Sequence, residues 1–237
     1  MRVADTIKEL VMARDLKRGD RLPAESEMIN SFGMAKSTIR EAMRILEAQG
    51  LVETRTGPGG GSFVAEPSAE RARSLLGNYF YFKDVKLVEV YQLRRLLEPE
   101  LVASLSGCLN EDQLTELEQL SERFPNPPHT TEDERAYHIG SLEFHVRLAS
   151  FAQNELLGFV IGFLTTVLSE LTVCRGGAEH AAAALWRKGG SCRKRLLIAL
   201  REGSPGDARK VMLEHILAEE AIMLSQNAEL RRRFVTR

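Results

Sequence analysis

A glycine-rich run, Gly57-Pro58-Gly59-Gly60-Gly61, stands between two short β-prone stretches, Leu51-Val52-Glu53-Thr54 and Ser62-Phe63-Val64. Such a run cannot propagate a helix, and between two strand-forming segments it marks the tip of a hairpin. Everything before it is helical. Val3, Ile7, Leu10 and Val11 recur at helical spacing, a second stretch runs from about Glu25 to Phe32, and a third from about Lys36 to Gln49 buries Ile39, Met43 and Leu46. Gly33 and Gly50 close the last two, where glycine accepts left-handed backbone. Three helices followed by a glycine-tipped hairpin predict a winged helix-turn-helix over residues 1–66.

Past Pro67 the pattern changes. Residues 67–83 read as a linker with a short helix near 69–78. From about Asp84 helical periodicity dominates, with helices expected at 84–106, 110–123, 132–152, 155–175, 179–201 and 207–227. The breaks carry turn chemistry: Asn110-Glu111-Asp112, Pro125-Asn126-Pro127-Pro128, Gly176-Gly177 and Gly203-Ser204-Pro205-Gly206. No clear strand signal occurs there. The expected fold is mainly α: an N-terminal winged helix-turn-helix plus a C-terminal all-helical bundle over 84–237.

The 237 residues carry 32 Lys+Arg against 33 Asp+Glu, a formal −1, so bulk charge does not attract nucleic acid. A local patch remains open, although the ten cations and ten anions of residues 1–66 cancel. In a helix-turn-helix the start of the second helix of the motif faces the major groove. Here that start offers Lys36, Ser37, Thr38 and Arg40 outward, with Ile39 turned in. Cations and hydroxyls suit phosphates, and either cation could read guanine. Arg55, Thr56 and Gly57 at the wing entrance can approach the backbone or minor groove. The competing reading is a solvated helix face beside a flexible loop.

Cys108, Cys174 and Cys192 lack metal-type spacing, which fits a reduced cytoplasm. No apolar run approaches the roughly 18 residues that span a bilayer, and no signal peptide is visible. A cytoplasmic protein with no membrane partner is expected. No phosphate loop, nucleophile elbow or H-E-x-x-H helix points to an enzyme.

In the helical half, polar residues interrupt apolar stripes. Arg94 shares a seam with Leu87, Val90, Tyr91, Leu97 and Leu101, with Glu98 one turn later. His145 shares a face with Leu142 and Leu148, Arg193 with Leu196, Leu197 and Leu200, and His215 with Val211, Met212 and Ile222. An unpaired buried guanidinium costs several kcal/mol, so these arginines need partners. Arg94 could pair with Glu98 and Arg193 could reach the edge, and the histidines could be hydrogen-bonded core. Four such residues on four helices favour a polar pocket for a carboxylate or other small anion. His129, His138 and His180 fall off these stripes and are expected at the surface, and Arg231-Arg232-Arg233 as a solvated tail.

The runs Gly19-Asp20-Arg21-Leu22-Pro23-Ala24-Glu25, Phe32-Gly33-Met34-Ala35-Lys36-Ser37-Thr38-Ile39-Arg40-Glu41-Ala42 and Leu46-Glu47-Ala48-Gln49-Gly50-Leu51-Val52 resemble the DNA-binding domain of the GntR family of bacterial transcription regulators. The resemblance implies DNA contacts at Lys36, Ser37, Thr38, Arg40, Thr56 and Gly57. Ser26 stands where members often carry arginine, and Ala35 where a hydroxyl residue is common. Leu93-Arg94-Arg95-Leu96-Leu97-Glu98-Pro99, Glu143-Phe144-His145 and Met212-Leu213-Glu214-His215 resemble the effector domain of the FadR subgroup, the FCD domain. Many members hold a divalent metal with one aspartate and three histidines. Those positions here are Ser141, His145, Arg193 and His215, so only His145 and His215 survive. The resemblance therefore implies an effector site of Arg94, Ser141, His145, Arg193 and His215. Zinc is disfavoured there, and Arg193 supplies the positive charge in its place. The expectation is a homodimeric, ligand-responsive repressor on a palindromic operator. The alternative is a constitutive DNA-binding dimer whose bundle serves only for dimerisation.

Overall fold

The computed structural model describes residues 2–173 and 179–231, without the side chains of Arg2, Thr131 and 179–185. Cys174, the side chain of His180, and Arg232 and Arg233 lie outside the described residues. The chain divides into two compact units, Met1–Ala72 and Arg73–Arg237.

In the first unit, α1 (Arg2–Ala13), α2 (Glu25–Phe32) and α3 (Lys36–Gln49) precede β1 (Val52–Arg55) and β2 (Gly61–Val64). Their apolar faces meet in one core of Val3, Ala4, Ile7, Leu22, Met28, Ile39, Ala42, Leu46 and Val52. Gly33 (φ 63°) and Gly50 (φ 75°) cap α2 and α3 in the left-handed conformation. The strands pair antiparallel, Val52 opposite Val64 and Arg55 opposite Gly61. A Cβ on Gly60 would sit 2.5 Å from the Arg55 carbonyl oxygen, so the tip tolerates glycine alone there. Residues 19–22 line β2 as an edge: Gly19 and Leu22 donate to the Val64 and Ser62 carbonyls at 2.9 Å.

The second unit contains the greater part of α4 (Ala69–Tyr81), followed by α5 (Leu87–Leu105), α6 (Glu111–Glu122), α7 (Thr131–Ser150), α8 (Glu155–Leu171), α9 (Glu179–Arg201) and α10 (Pro205–Ser225). Side-chain caps start α6, α7 and α8, where Asn110, Thr130 and Asn154 each accept from the backbone three residues on. Helix α5 packs along α10, α10 along α9, and α7 along α8, around a core that includes Tyr91, Leu101, Phe144, Leu148, Ile161, Leu168, Leu200 and Ile216. Two features depart from expectation. Helix α8 ends at Leu171 rather than near 175, because β3 (Thr172–Val173) pairs antiparallel with β4 (Glu229–Leu230). Arg231, expected in a solvated tail, is exposed at its side chain but donates its backbone N–H to Leu171 at 2.7 Å.

Candidate nucleic-acid interface and buried anion site

The candidate recognition surface is built by the burial of one side chain. Ile39 is fully enclosed, which turns Lys36, Ser37, Thr38 and Arg40 outward on the first turns of α3. All four are exposed, as are Arg55, Thr56 and Gly57 on the wing. Glu25 at the start of α2 organises the cations. Arg40 Nε donates to both Glu25 carboxylate oxygens at 3.1 Å, and Lys36 Nζ lies 3.7 Å from one of them. Arg55 lies over the Phe63 ring, 4.4 Å from its centroid, and pairs with Glu53. Arg21 fixes the wing by donating to the Gly60 carbonyl at 2.6 Å. Ala35 offers α3 no side-chain cap, as its methyl group requires.

In the helical unit, α5, α7, α9 and α10 bring Arg94, Ser141, His145, Arg193 and His215 together, all buried. The structure adds Glu98, Tyr137, Cys192 and Glu219. Arg94 is satisfied from within: Nε donates to Glu98 Oε1 at 2.5 Å and Nη1 to Glu219 Oε2 at 2.9 Å. Its expected pairing with Glu98 is therefore present, and Glu219 doubles it. His145 Nδ1 sits 2.5 Å from Glu98 Oε2, and its Nε2 faces His215 Nε2 at 3.2 Å across parallel rings. His215 Nε2 is 3.3 Å from Glu219 Oε1, and the same imidazole is hydrogen-bonded to Cys192.

Arg193 is arranged differently. It does not reach solvent, being 4% exposed. Its Nη1 donates to Ser141 Oγ at 3.1 Å and its Nη2 to the Tyr137 hydroxyl at 3.2 Å, while its buried Nε has no partner among the described residues. Both partners are neutral. Room for this comes from Gly189, one turn earlier on α9. A Cβ there would lie 2.6 Å from the Tyr137 hydroxyl and 3.3 Å from Arg193 Nη1.

The protonation pattern follows from these contacts. Burial opposes the Glu98 carboxylate, but Arg94 and His145 outweigh it and hold Glu98 at about 2. Glu219 is likewise held well below the usual range, burial being overcome by His215 and Arg94. Burial lowers His145 despite Glu98, so its ring is neutral. Burial also opposes charge on His215, yet Glu219 and Cys192 push it up to about 9. Arg94, Arg193 and His215 then face Glu98 and Glu219, leaving one positive charge in excess. A guanidinium is permanently charged, and Arg193 is the cation without a carboxylate among the described residues.

Three groups converge: one nitrogen each of His145 and His215 and one carboxylate oxygen of Glu219 lie within 4.8 Å of one another. Two imidazoles without a carboxylate disfavour zinc, and Glu219 changes that count. The edges of 3.2 and 3.3 Å match the separation of about 3.3 Å between ligands of a tetrahedral zinc ion. Two imidazoles and a carboxylate are the kinds of group that hold a divalent metal. Sequence reasoning missed Glu219, whose one signal is its place four residues after His215 on one helical face. Tyr137 stands likewise four before Ser141.

His129 is exposed as expected. His138 is not a surface residue: it is half-buried, its Nε2 is enclosed without a partner among the described residues, and burial lowers its pKa. It sits on the face of α7 turned toward α8, off the stripe that carries His145, and is hydrogen-bonded to the Leu168 backbone.

A winged helix-turn-helix joined to a helical unit with a buried polar centre is the architecture of a DNA-binding transcription regulator. Comparison with known proteins agrees. Residues 1–64 match the family described as bacterial regulatory proteins, gntR family, and residues 89–218 match the FCD domain. The chain belongs to the GntR family and carries an FCD domain. It is similar to the HTH-type transcriptional regulator LutR of Bacillus subtilis, 26% identical over 88% of this chain and 94% of that one. It is also similar to the Uxu operon regulator of Haemophilus influenzae, 25% identical over 91% of this chain and 78% of that one. A solved structure, Streptococcus agalactiae GntR, shares the fold with a TM-score of 0.60, 23% identity and coverage of 93% of this chain and 98% of that one. Among the described residues no helix is long and apolar enough to cross a membrane.

Proposed function

We propose that the chain is an effector-responsive, homodimeric repressor. It would contact operator DNA through Lys36, Ser37, Thr38, Arg40, Arg55, Thr56 and Gly57, and sense a small monoanion, a carboxylate by preference, at Arg193. The residues 67–83 would link the two functions. The observation that carries the effector reading is the state of Arg193: a buried cation held by two hydroxyls, with an unmatched Nε and the single excess charge of its cluster. A carboxylate binds a guanidinium through two parallel hydrogen bonds and would supply what Ser141 and Tyr137 lack. Arg94 is not the anchor in this reading, because Glu98 and Glu219 occupy its donors. Ser141, His145 and His215 would line the site. Dimerisation is supported by Leu93, Leu96, Leu213 and Leu217, exposed on the neighbouring helices α5 and α10.

A thermal-shift screen of organic, sugar and amino acids against the wild type and Arg193→Met tests the effector reading. A ligand at 100 times its Kd stabilises by about 2.7 kcal/mol. At least one acid is expected to raise the wild-type melting temperature and to leave Arg193→Met unmoved. No response in the wild type, or an equal response in the variant, refutes it and returns the bundle to a purely dimerising role.

A further inference from the structure

We propose that the helical unit has a second binding site, separate from Arg193 and shaped for an uncharged, apolar small molecule built on one aromatic ring or a short hydrocarbon chain. The site is a cavity of about 260 Å³ walled by α4, α5, α8 and β4. None of its lining residues belongs to the polar centre. Helix α4 begins in the first unit and ends in the second, so a ligand packed on it bears on the segment that joins the two.

The inner wall is apolar. Phe80 of α4 and Phe163 of α8 tilt against each other with ring centroids 5.7 Å apart. Leu164, Val167 and Leu171 recur at intervals of three and four, so one face of α8 lines the cavity. Gly77 lines it from α4, three residues before Phe80. Glycine is unfavourable inside a helix, and its missing side chain leaves room there for another molecule to approach the backbone. Interiors are close-packed, so an apolar space of this size that side chains leave unfilled has the character of a ligand pocket.

Size and charge select the occupant. An apolar cavity of about 150 Å³ takes up benzene, so this one has room for a substituted ring or a chain of about six to eight carbons. The charged residues of the lining, Lys83, Asp84, Glu89 and Arg231, are all exposed, and the two cations cancel the two carboxylates. Three of them are engaged elsewhere. Asp84 pairs with Lys86, Glu89 accepts from the Lys86 backbone at 2.7 Å, and Lys83 lies 5.3 Å from the centroid of the Tyr79 ring. No buried charge lines the cavity among the described residues. An ion entering it would lose its water without gaining a counter-charge, a cost that an uncharged ligand avoids.

The test is calorimetric titration of the full chain with toluene and with indole. One equivalent per chain is expected, with the negative heat-capacity change of apolar burial. Val167→Phe should fill the cavity from α8 and Leu230→Trp from β4, and each should weaken toluene at least about 10-fold; if one variant does not fold, the other decides. Arg193→Met should bind toluene as the wild type does, so failure here and failure of the anion reading are separate results. In that Arg193→Met background benzoate, which carries a carboxylate in place of the methyl group, should bind at least about 10-fold more weakly than toluene. No heat with either compound in the wild type, or toluene binding undiminished by the filling variants, overturns the proposal. Benzoate as tight as toluene overturns the uncharged class. Binding that appears only after residues 232–237 are removed assigns the cavity to the chain's own end and overturns it as well.

Discussion

Two neighbouring glycines in α9 should respond to alanine in opposite directions. In an exposed helix interior, glycine to alanine gains about 1 kcal/mol from backbone entropy. A methyl group on Gly190 would meet no heavy atom within 4 Å among the described residues, so Gly190→Ala should realise most of that gain. Gly189 is buried, and its methyl would stand 2.6 Å from the Tyr137 hydroxyl. Tyr137 cannot swing aside freely, because it is 2% exposed and packs edge-to-face on Phe124 at 5.5 Å. Overpacking of this kind costs about 1–3 kcal/mol, which cancels or exceeds the helical gain. Gly189→Ala should therefore fall about 1–3 kcal/mol below Gly190→Ala. Urea unfolding of each variant, followed by circular dichroism on the transition of the helical unit, measures the difference. Equal midpoints for the two would refute the claim that Gly189 seats Tyr137 and Arg193.

Acid should loosen the helical unit in a defined window. Glu98 is depressed from 4.5 to about 2, so its contribution is complete above pH 4.5 and fades as pH falls toward 2. The shift corresponds to about 3 kcal/mol at most, and Glu219 moves in the same direction. A urea midpoint unchanged between pH 5 and pH 3 would contradict this. At the DNA surface, Lys36→Ala should weaken binding to any short duplex and reduce the salt slope by about 1, as loss of one phosphate contact does. An unchanged slope in fluorescence anisotropy would remove Lys36 from the interface.

The helices were legible because period and punctuation agreed. Ile39 among polar neighbours fixed which face of α3 turns inward, and Gly33 and Gly50 fixed where helices stop. The stripes carrying Arg94, His145, Arg193 and His215 converge as their spacing implies. What stayed hidden depends on partners distant in sequence. Glu219 looks like any acidic residue on a helix until Arg94, 125 residues earlier, is placed against it. The β3–β4 pair has two residues per strand, too few for alternation to register. His138 lies off the apolar stripe that carries His145, and only the packing of α7 on α8 encloses it.

The distribution of cost within the polar centre separates its parts. Buried ion pairs seldom outdo apolar packing of the same volume, so the centre as a whole is not a stabilising device. Around Arg94 the penalty is offset locally, with carboxylates on two of its nitrogens and both carboxylates held ionised. Around Arg193 it is not. The guanidinium has neutral partners and an idle Nε, and its seat requires a glycine inside a helix. Two unrelated penalties, electrostatic and conformational, therefore coincide at one side chain. Replacing Arg193 by methionine removes the first of them, so the ligand-free variant should melt above the wild type. A lower melting point would mean that Arg193 is part of the scaffold, and that its buried charge is compensated by something other than a ligand.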